Sequence, residues 1–528
     1  MLLTFALALA APQDLVLQNA RIWTGTDAAP RGEVVVRNGR VAQDGEKPGD
    51  GARTINLKGA FVMPGLQDAH GHLQGLGAAL EEVDLFAAKS YAELIERVQR
   101  AAKGRKPGEW IVGRGWDQNL WPDTSMPHHR DLSAATPDHP VWLVRVDGHA
   151  ALANANALAA GKLGRSSEAP TGGEILRDGD GEPTGVLVDR AMALVPLPAP
   201  TVEAVRRRML AAQQQCFLAG LTCVHDAGVS GDEADRLVAM ADEGAWGLRV
   251  HVMLSGDQTA AIRRGPRASK SGLVQVRAVK SYADGALGSR GALLLQPYAD
   301  KKGYRGLPLS AGLSDLAQLC ADSGMQLCVH AIGDAANRKV LDVFEAVRFA
   351  DGAREAARWR IEHCQVVAEQ DRARFVALSV IPSMQPTHLT SDMPWAAQRL
   401  GEERIGTAYA WRELLALGLP VAFGSDFPVE SVDVRKGLFA AVTTKASPDG
   451  APMRKEQQLS RVDALRGFTV HAAHAMFAEQ ELGTIETDKR ADFTVFDRDL
   501  RECSEAEILS ARVLLTIVDG RVVFEAVD

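Results

Sequence analysis

The chain has 528 residues, a formal net charge of −8 and 46% hydrophobic residues. That supply of apolar side chains exceeds the core of one small domain and predicts two or three structural units. No Lys/Arg block and no basic stripe with interleaved aromatics occurs, which argues against nucleic acid as a partner; Arg206-Arg207-Arg208 reads as a solvated helix face.

In chain order, Leu2–Ala11 is apolar and Ala8-Leu9-Ala10 resembles a small-residue cleavage site. A signal peptide has more length and a basic start. Residues 1–12 are read as a signal-like segment that leans towards an exported, periplasmic protein, with a cytoplasmic one as the alternative. No run reaches the roughly 18 apolar residues of a membrane span. Residues 14–62 then show short alternating runs broken by glycine, such as Leu15-Val16-Leu17 and Glu33-Val34-Val35-Val36. The same style returns at Ala491–Phe496, Val513–Val518 and Arg521–Phe524. Both ends are β-rich, and the economical reading joins residues 13–62 and 482–528 in one small composite β-sandwich.

The middle alternates strand and helix. Strand-like runs fall near Val62–Leu66, Leu221–His225, Leu248–Leu254, Val274–Lys280, Gln326–His330, Trp359–His363, Leu378–Met384 and Leu419–Phe423. Helical patterns such as Val202–Leu218, Leu316–Asp322, Arg338–Phe349 and Ala408–Leu417 separate most of them. The expected fold is α/β, a (β/α)8 TIM-like barrel over residues 63–481. Residues 73–200 are too long for one crossover and hold their own strands, such as Pro140–Val146. They read as a subdomain inserted after barrel strand 1, placed to cover an active site. The six cysteines form no Cys-x-x-Cys pair; several lie in apolar runs, and the one close pair, Cys216 and Cys223, is read as core.

Barrel active sites collect at the C-terminal strand ends. The polar residues there are His70 and His72, Lys280, His330, His363 and Asp426. His70 and His72 are spaced i and i+2, so a strand end turns both imidazoles to one side. Alone, each histidine is more often a structural residue than a ligand. Four histidines and an aspartate converging on one barrel mouth point to a metal site, and a donor set without thiolate suits zinc, manganese, nickel or iron. Two readings of Lys280 stand. It pairs with Asp284 or another carboxylate, or its neutral amine captures carbon dioxide as a carbamate able to bridge two metal ions.

The chain resembles the amidohydrolase superfamily, and more closely its amidohydrolase-3 branch, which includes N-substituted formamide deformylase-like proteins. The residues that carry this are Pro64-Gly65-Leu66-Gln67-Asp68-Ala69-His70-Gly71-His72, Val279-Lys280-Ser281-Tyr282-Ala283-Asp284-Gly285, His330-Ala331-Ile332-Gly333-Asp334, Ile361-Glu362-His363-Cys364 and Gly424-Ser425-Asp426-Phe427-Pro428. Gly483-Thr484-Ile485-Glu486 with Ala491-Asp492-Phe493 resembles the return to the sandwich. The resemblance implies two divalent metal ions. His70, His72 and Asp426 hold the more buried one, His330 and His363 the other, and a carbamylated Lys280 bridges them. Gly71 departs from the branch, which often has a larger residue between the histidines.

The implied reaction is hydrolysis of a carbon–nitrogen bond in a small, non-peptide amide by a metal-bound hydroxide. Asp426 acts as general base and then acid. Trp116, Asp117 and His149 in the insertion, Gln385 after strand 7, and Arg290, a candidate for a substrate anion, are the expected substrate contacts. Asp334 is a candidate cap for the helix after it. The same site acting on an ester, a lactone or a C–Cl bond, and a noncatalytic regulatory scaffold, are the alternatives; a homodimer is left open.

Overall fold

The computed structural model describes residues 14–27, 31–348 and 353–527; the signal-like segment 1–12 lies outside them. The terminal β-regions form a single eight-stranded sheet, in the order Arg521–Glu525, Val513–Val518, Phe493–Phe496, Phe61–Pro64, Leu15–Ile22, Arg31–Arg37 and Arg40–Val41, with Arg53–Asn56 pairing Leu15–Ile22. The two chain ends meet where Phe61–Pro64 runs antiparallel to Phe493–Phe496, with Val62 opposite Val495. Alternate residues of these strands, among them Leu15, Leu17, Val34, Val36, Phe493, Val495, Leu515 and Ile517, bury into one shared cluster, as period-two patterning requires.

The expected strand Val62–Leu66 is in fact two strands. Phe61–Pro64 belongs to the terminal sheet, and Leu66–Gly71 is the first strand of the barrel. Between them the chain passes so close to Thr222 that a Cβ on Gly65 would sit 2.2 Å from its Oγ1. A continuous apolar run hides this change of sheet, because both strands are buried throughout.

Seven parallel strands follow in chain order around the barrel: Leu221–Val229, Arg249–Ser255, Val274–Tyr282, Gln326–Ala331, Arg360–His363, Ile381–Met384 and Ala422–Phe423. The helices Val202–Leu218, Gly231–Asp242, Leu313–Ser323 and Asp334–Ala346 pack outside; their apolar faces and the strands share one large core. The seam between the last strand and the first is tied beyond the strands proper. Asp426 N donates to His70 O at 2.7 Å, and His72 N to Phe427 O at 2.9 Å. Asp68 accepts from the Ser425 hydroxyl at 2.6 Å and from the His70 and Ser425 backbone N–H groups at 3.0 Å each. Gly424 allows this approach, since a Cβ there would lie 2.5 Å from His70 N.

Between the first and second barrel strands the chain builds a third sheet of six strands, from Val83–Asp84 to Pro183–Asp189. Its core includes Leu94, Ile111, Trp116, Leu143 and Leu152. All six cysteines are unpaired thiols. Among the described residues, no helix is long and apolar enough to cross a membrane.

Candidate metal centre and the cavity above it

The polar strand ends come together as the barrel order demands. His70 ends strand 1, Lys280 lies near the end of strand 4, His330 and His363 sit at the ends of strands 5 and 6, and Asp426 follows strand 8. One ligand atom from each of His70, His363 and Asp426 falls within 4.8 Å of the others. The His330 and His363 rings are 4.5 Å apart, and His70 lies 5.5 Å from His72 and 5.0 Å from His363. Lys280 Nζ donates to His70 Nε2 at 3.1 Å. Asp426 Oδ1 is 3.0 Å from His72 Nε2 and 3.6 Å from His70 Nε2.

Three of the imidazoles are held by their far nitrogen. The Nδ1 of His70 donates to Glu362 at 2.5 Å, that of His72 to the Ala227 carbonyl at 2.8 Å, and that of His363 to Gln385 Oε1 at 2.7 Å. Each bond leaves Nε2 as the lone-pair nitrogen facing the cluster, the arrangement by which ligating histidines are oriented. His330 is turned the other way: its Nε2 lies 3.5 Å from the Gly285 carbonyl and 3.6 Å from Asp284. Its Nδ1 has no hydrogen-bond partner among the described residues. Imidazoles with a nitrogen facing the cluster and one carboxylate fit a divalent cation of the zinc type.

The electrostatics agree with that donor set. Burial, then the Lys280 charge, pushes His70 down to about 4 against the pull of Glu362. Burial, with the charges of Lys280 and of neighbouring histidines, also pushes His330 and His363 well below the ordinary imidazole range. Burial works against ionisation of Asp426, yet its close contact with His72 and the neighbouring His70 and His363 hold it well below the usual carboxylate range. Both His363 and Asp426 have positive φ, 75° and 62°. Such backbone costs on the order of 1–3 kcal/mol per residue and is found where a site demands it. Gly71 has its own reason: a Cβ there would lie 2.5 Å from the Phe427 ring.

Lys280 is not paired with Asp284. That carboxylate accepts from the backbone of Ile332, Gly333 and Leu293 at 3.0, 2.8 and 2.7 Å. Asp334 is the first residue of its helix, capped by Gly333, and accepts instead from Leu295 N at 2.8 Å.

A cavity of about 1070 Å³ opens above the cluster and reaches His72, Lys280, His330, His363 and Asp426. The insertion contributes Arg114, Asp147, His149, Asp189 and Met192 to its wall. His149 is thus a cavity residue, held by its Nδ1 on Asp189 at 2.7 Å. Three other expected contacts are placed elsewhere. Trp116 is fully buried in the insertion core, with its Nε1 donating to the Leu143 carbonyl at 2.8 Å. Asp117 pairs with the buried Arg145 at 2.5 Å and accepts from Asn119 N. Arg290 is paired with Asp300 at 2.8 Å and does not line the cavity. Gln385 is buried and reaches the site through His363.

Glu362 and Asp68 received no role from the sequence, although both lie inside quoted motifs. Glu362 is buried between His70 and the equally buried Arg360, 2.8 Å away; burial opposes its charge, but Arg360 and His70 bring it down to about 2. Asp68 shares the two-residue spacing of His70 and His72, a signal that places it on the same side of the strand.

A nearly closed parallel barrel with such a cluster at its C-terminal mouth defines a class, the (β/α)8 enzymes whose reacting groups sit at the strand ends. Within that class the chain belongs to the Amidohydrolase family, whose model matches residues 53–524. Protein LONG AFTER FAR-RED 3 of Arabidopsis thaliana is 32% identical over 96% of this chain and 91% of its own length. N-substituted formamide deformylase of Arthrobacter pascens is 27% identical over 97% of this chain and 98% of its own. The crystal structure of an uncharacterized metal-dependent hydrolase from Pyrococcus horikoshii OT3 matches with a TM-score of 0.76 at 28% identity, covering 93% of this chain and 99% of that one.

Proposed function

We propose that this chain is a metal-dependent hydrolase of a carbon–nitrogen bond in a non-peptide amide. N-substituted formamides, N-acyl amines and cyclic amides or ureas are its substrate classes. The observation that carries the reading is the inward-facing nitrogen set of His70, His72 and His363, each oriented by a protein acceptor, around Asp426 and Lys280. His70, His72 and Asp426 would hold one divalent ion, His330 and His363 a second, and Lys280, carbamylated by carbon dioxide with loss of a proton, would bridge them. Zinc fits this donor set, as do manganese, nickel and iron. Bound there, such ions supply Lewis acidity and lower the pKa of the attacking water.

Asp426 is assigned the proton transfers, taking the proton of that water and delivering it to the leaving nitrogen. Its Oδ1 faces His72 and His70, while Oδ2 is 3.6 Å from His388. Gln385 fixes the ring of His363. Residues 73–200 act as the cover that selects the substrate, through Arg114, Asp147 and His149. The eight-stranded sheet built from both chain ends is read as a sandwich closed around its shared cluster.

Metal analysis of the purified protein, followed by a panel of formamides, acyl amines, lactams, esters and lactones, tests this. The expected result is metal bound in the site and turnover of an amide. Less than about one metal per chain, not restored by zinc and bicarbonate, would leave a noncatalytic scaffold as the better reading. Turnover of esters or lactones alone would keep the site and change the bond.

A further inference from the structure

The strand Ile111–Trp116 contains a feature that the metal chemistry does not use. Its first residues alternate: Ile111 enters the core of the insertion, and Val112 and Arg114 lie on the opposite face. The register then shifts at Gly115, whose φ is 106°. A Cβ there would lie 2.4 Å from the Phe86 ring, so only glycine fits. This bulge sends Trp116 back into the core and leaves Arg114 directed at the cavity, the kind of re-aiming bulges provide beside functional sites.

Arg114 lines the same cavity as His72, His149 and Asp426. It takes part in none of the ion pairs among the described residues. One Nη2 contact to the Val146 carbonyl at 3.4 Å is its hydrogen bond, and its buried Nε has no partner. It rests against Gly148, where a Cβ would meet Nη2 at 3.4 Å. Arg145, by contrast, is spent on Asp117 and Asp147, and Arg290 on Asp300. Burial bears on Arg114 as the largest influence, opposed from a distance by Glu82, Asp426 and Asp147. An enclosed guanidinium without a contacting carboxylate is costly to keep, and its planar fork matches a two-oxygen anion. Apolar side chains of Met192, Met209, Leu237 and Met240 line the same cavity, beside the solvent-exposed Arg190, Arg206 and Arg236.

We infer that Arg114 binds an oxyanion carried by the substrate, a carboxylate or a phosphate-type group, on a molecule with an apolar body. The inference rests on this cavity being the substrate site, and binding measured apart from turnover separates its failure from that of amide hydrolysis. The metal-loaded protein is titrated by calorimetry with phenylbutyrate, phenylpropylphosphonate and neutral phenylbutanol. Wild type is expected to bind one of the anions at least ~10-fold more tightly than the alcohol. The tighter anion identifies the group. Arg114→Gln is expected to reduce that preference to less than about twofold, and Arg114→Lys, which keeps the charge without the fork, to retain part of it. If Arg114→Gln fails to fold, the Arg114→Lys ratio carries the test, and an undiminished preference counts against the inference. Absence of any preference in wild type, or a preference that survives Arg114→Gln because the anion sits on the metals, overturns it.

Discussion

The floor and the wall of the cavity are built differently. The floor is made of strand ends: His70, Lys280, His330 and His363 are buried side chains whose backbones are fixed by the barrel ladder. Its partners are short and inward, such as Glu362 on His70 and Gln385 on His363. The wall comes from an independent sheet and from the helices Val202–Leu218 and Gly231–Asp242, and some of its charged groups are held by partners, as Asp147 is by Arg145 and Asp189 by His149. A floor of this kind can serve one chemistry with many walls, which is how one fold hosts many substrates. Changes in the floor should therefore abolish turnover with stability intact, and changes in the wall should alter binding or stability first.

The largest effect is expected at Asp426. Asp426→Asn should lower kcat by at least ~10³-fold, since general acid–base catalysis and metal retention are lost together. Its melting temperature should stay within a few degrees of wild type, by circular dichroism. Retained turnover would overturn the proton-transfer role. Lys280→Ala should follow, with metal content or activity falling about 10²-fold and partly recovered by short carboxylic acids that replace the carbamate. Wild-type activity without any added acid would sink the carbamate. Glu362→Gln should be milder still, with metal affinity weakened by about 10–100-fold. Unchanged affinity in a competition with a chelator would show that Glu362 serves the barrel interior and not His70.

These positions differ in how far the sequence reveals them. The ligand-type residues are legible because each closes an apolar run, and the barrel order then brings the run ends to one mouth. Helix Val202–Leu218 is likewise found where its pattern places it. The first barrel strand is not, because Val62 and Leu66 belong to two sheets joined at Gly65, and apolar residues look alike in both. Glu362 reads as a neighbour of a ligand; its partner, His70, is 292 positions away in sequence and becomes adjacent only when the barrel closes. Arg290 is a candidate on a page of letters and Arg114 is passed over. Asp300 takes the first, and no carboxylate in contact takes the second. Lone-residue chemistry is visible in sequence, whereas which partner neutralises a charge is a property of the fold.

Trp116 sharpens the comparison at its small end. After Gly115 and beside Asp117 it has the look of a pocket aromatic, and alternation from Arg114 would put both on one face. The bulge at Gly115 breaks that parity. The indole instead fills the insertion core near Trp121, with ring centroids 6.0 Å apart, and spends its N–H on Leu143. Trp116→Phe should then cost about 1–2 kcal/mol of stability, from lost volume and an unmet Leu143 carbonyl, read as a lower urea midpoint. KM for whichever amide the panel identifies should change less than about twofold, because the side chain is walled off from the cavity. A large rise in KM with an unchanged urea midpoint would return Trp116 to the wall and show that the bulge relaxes when substrate binds.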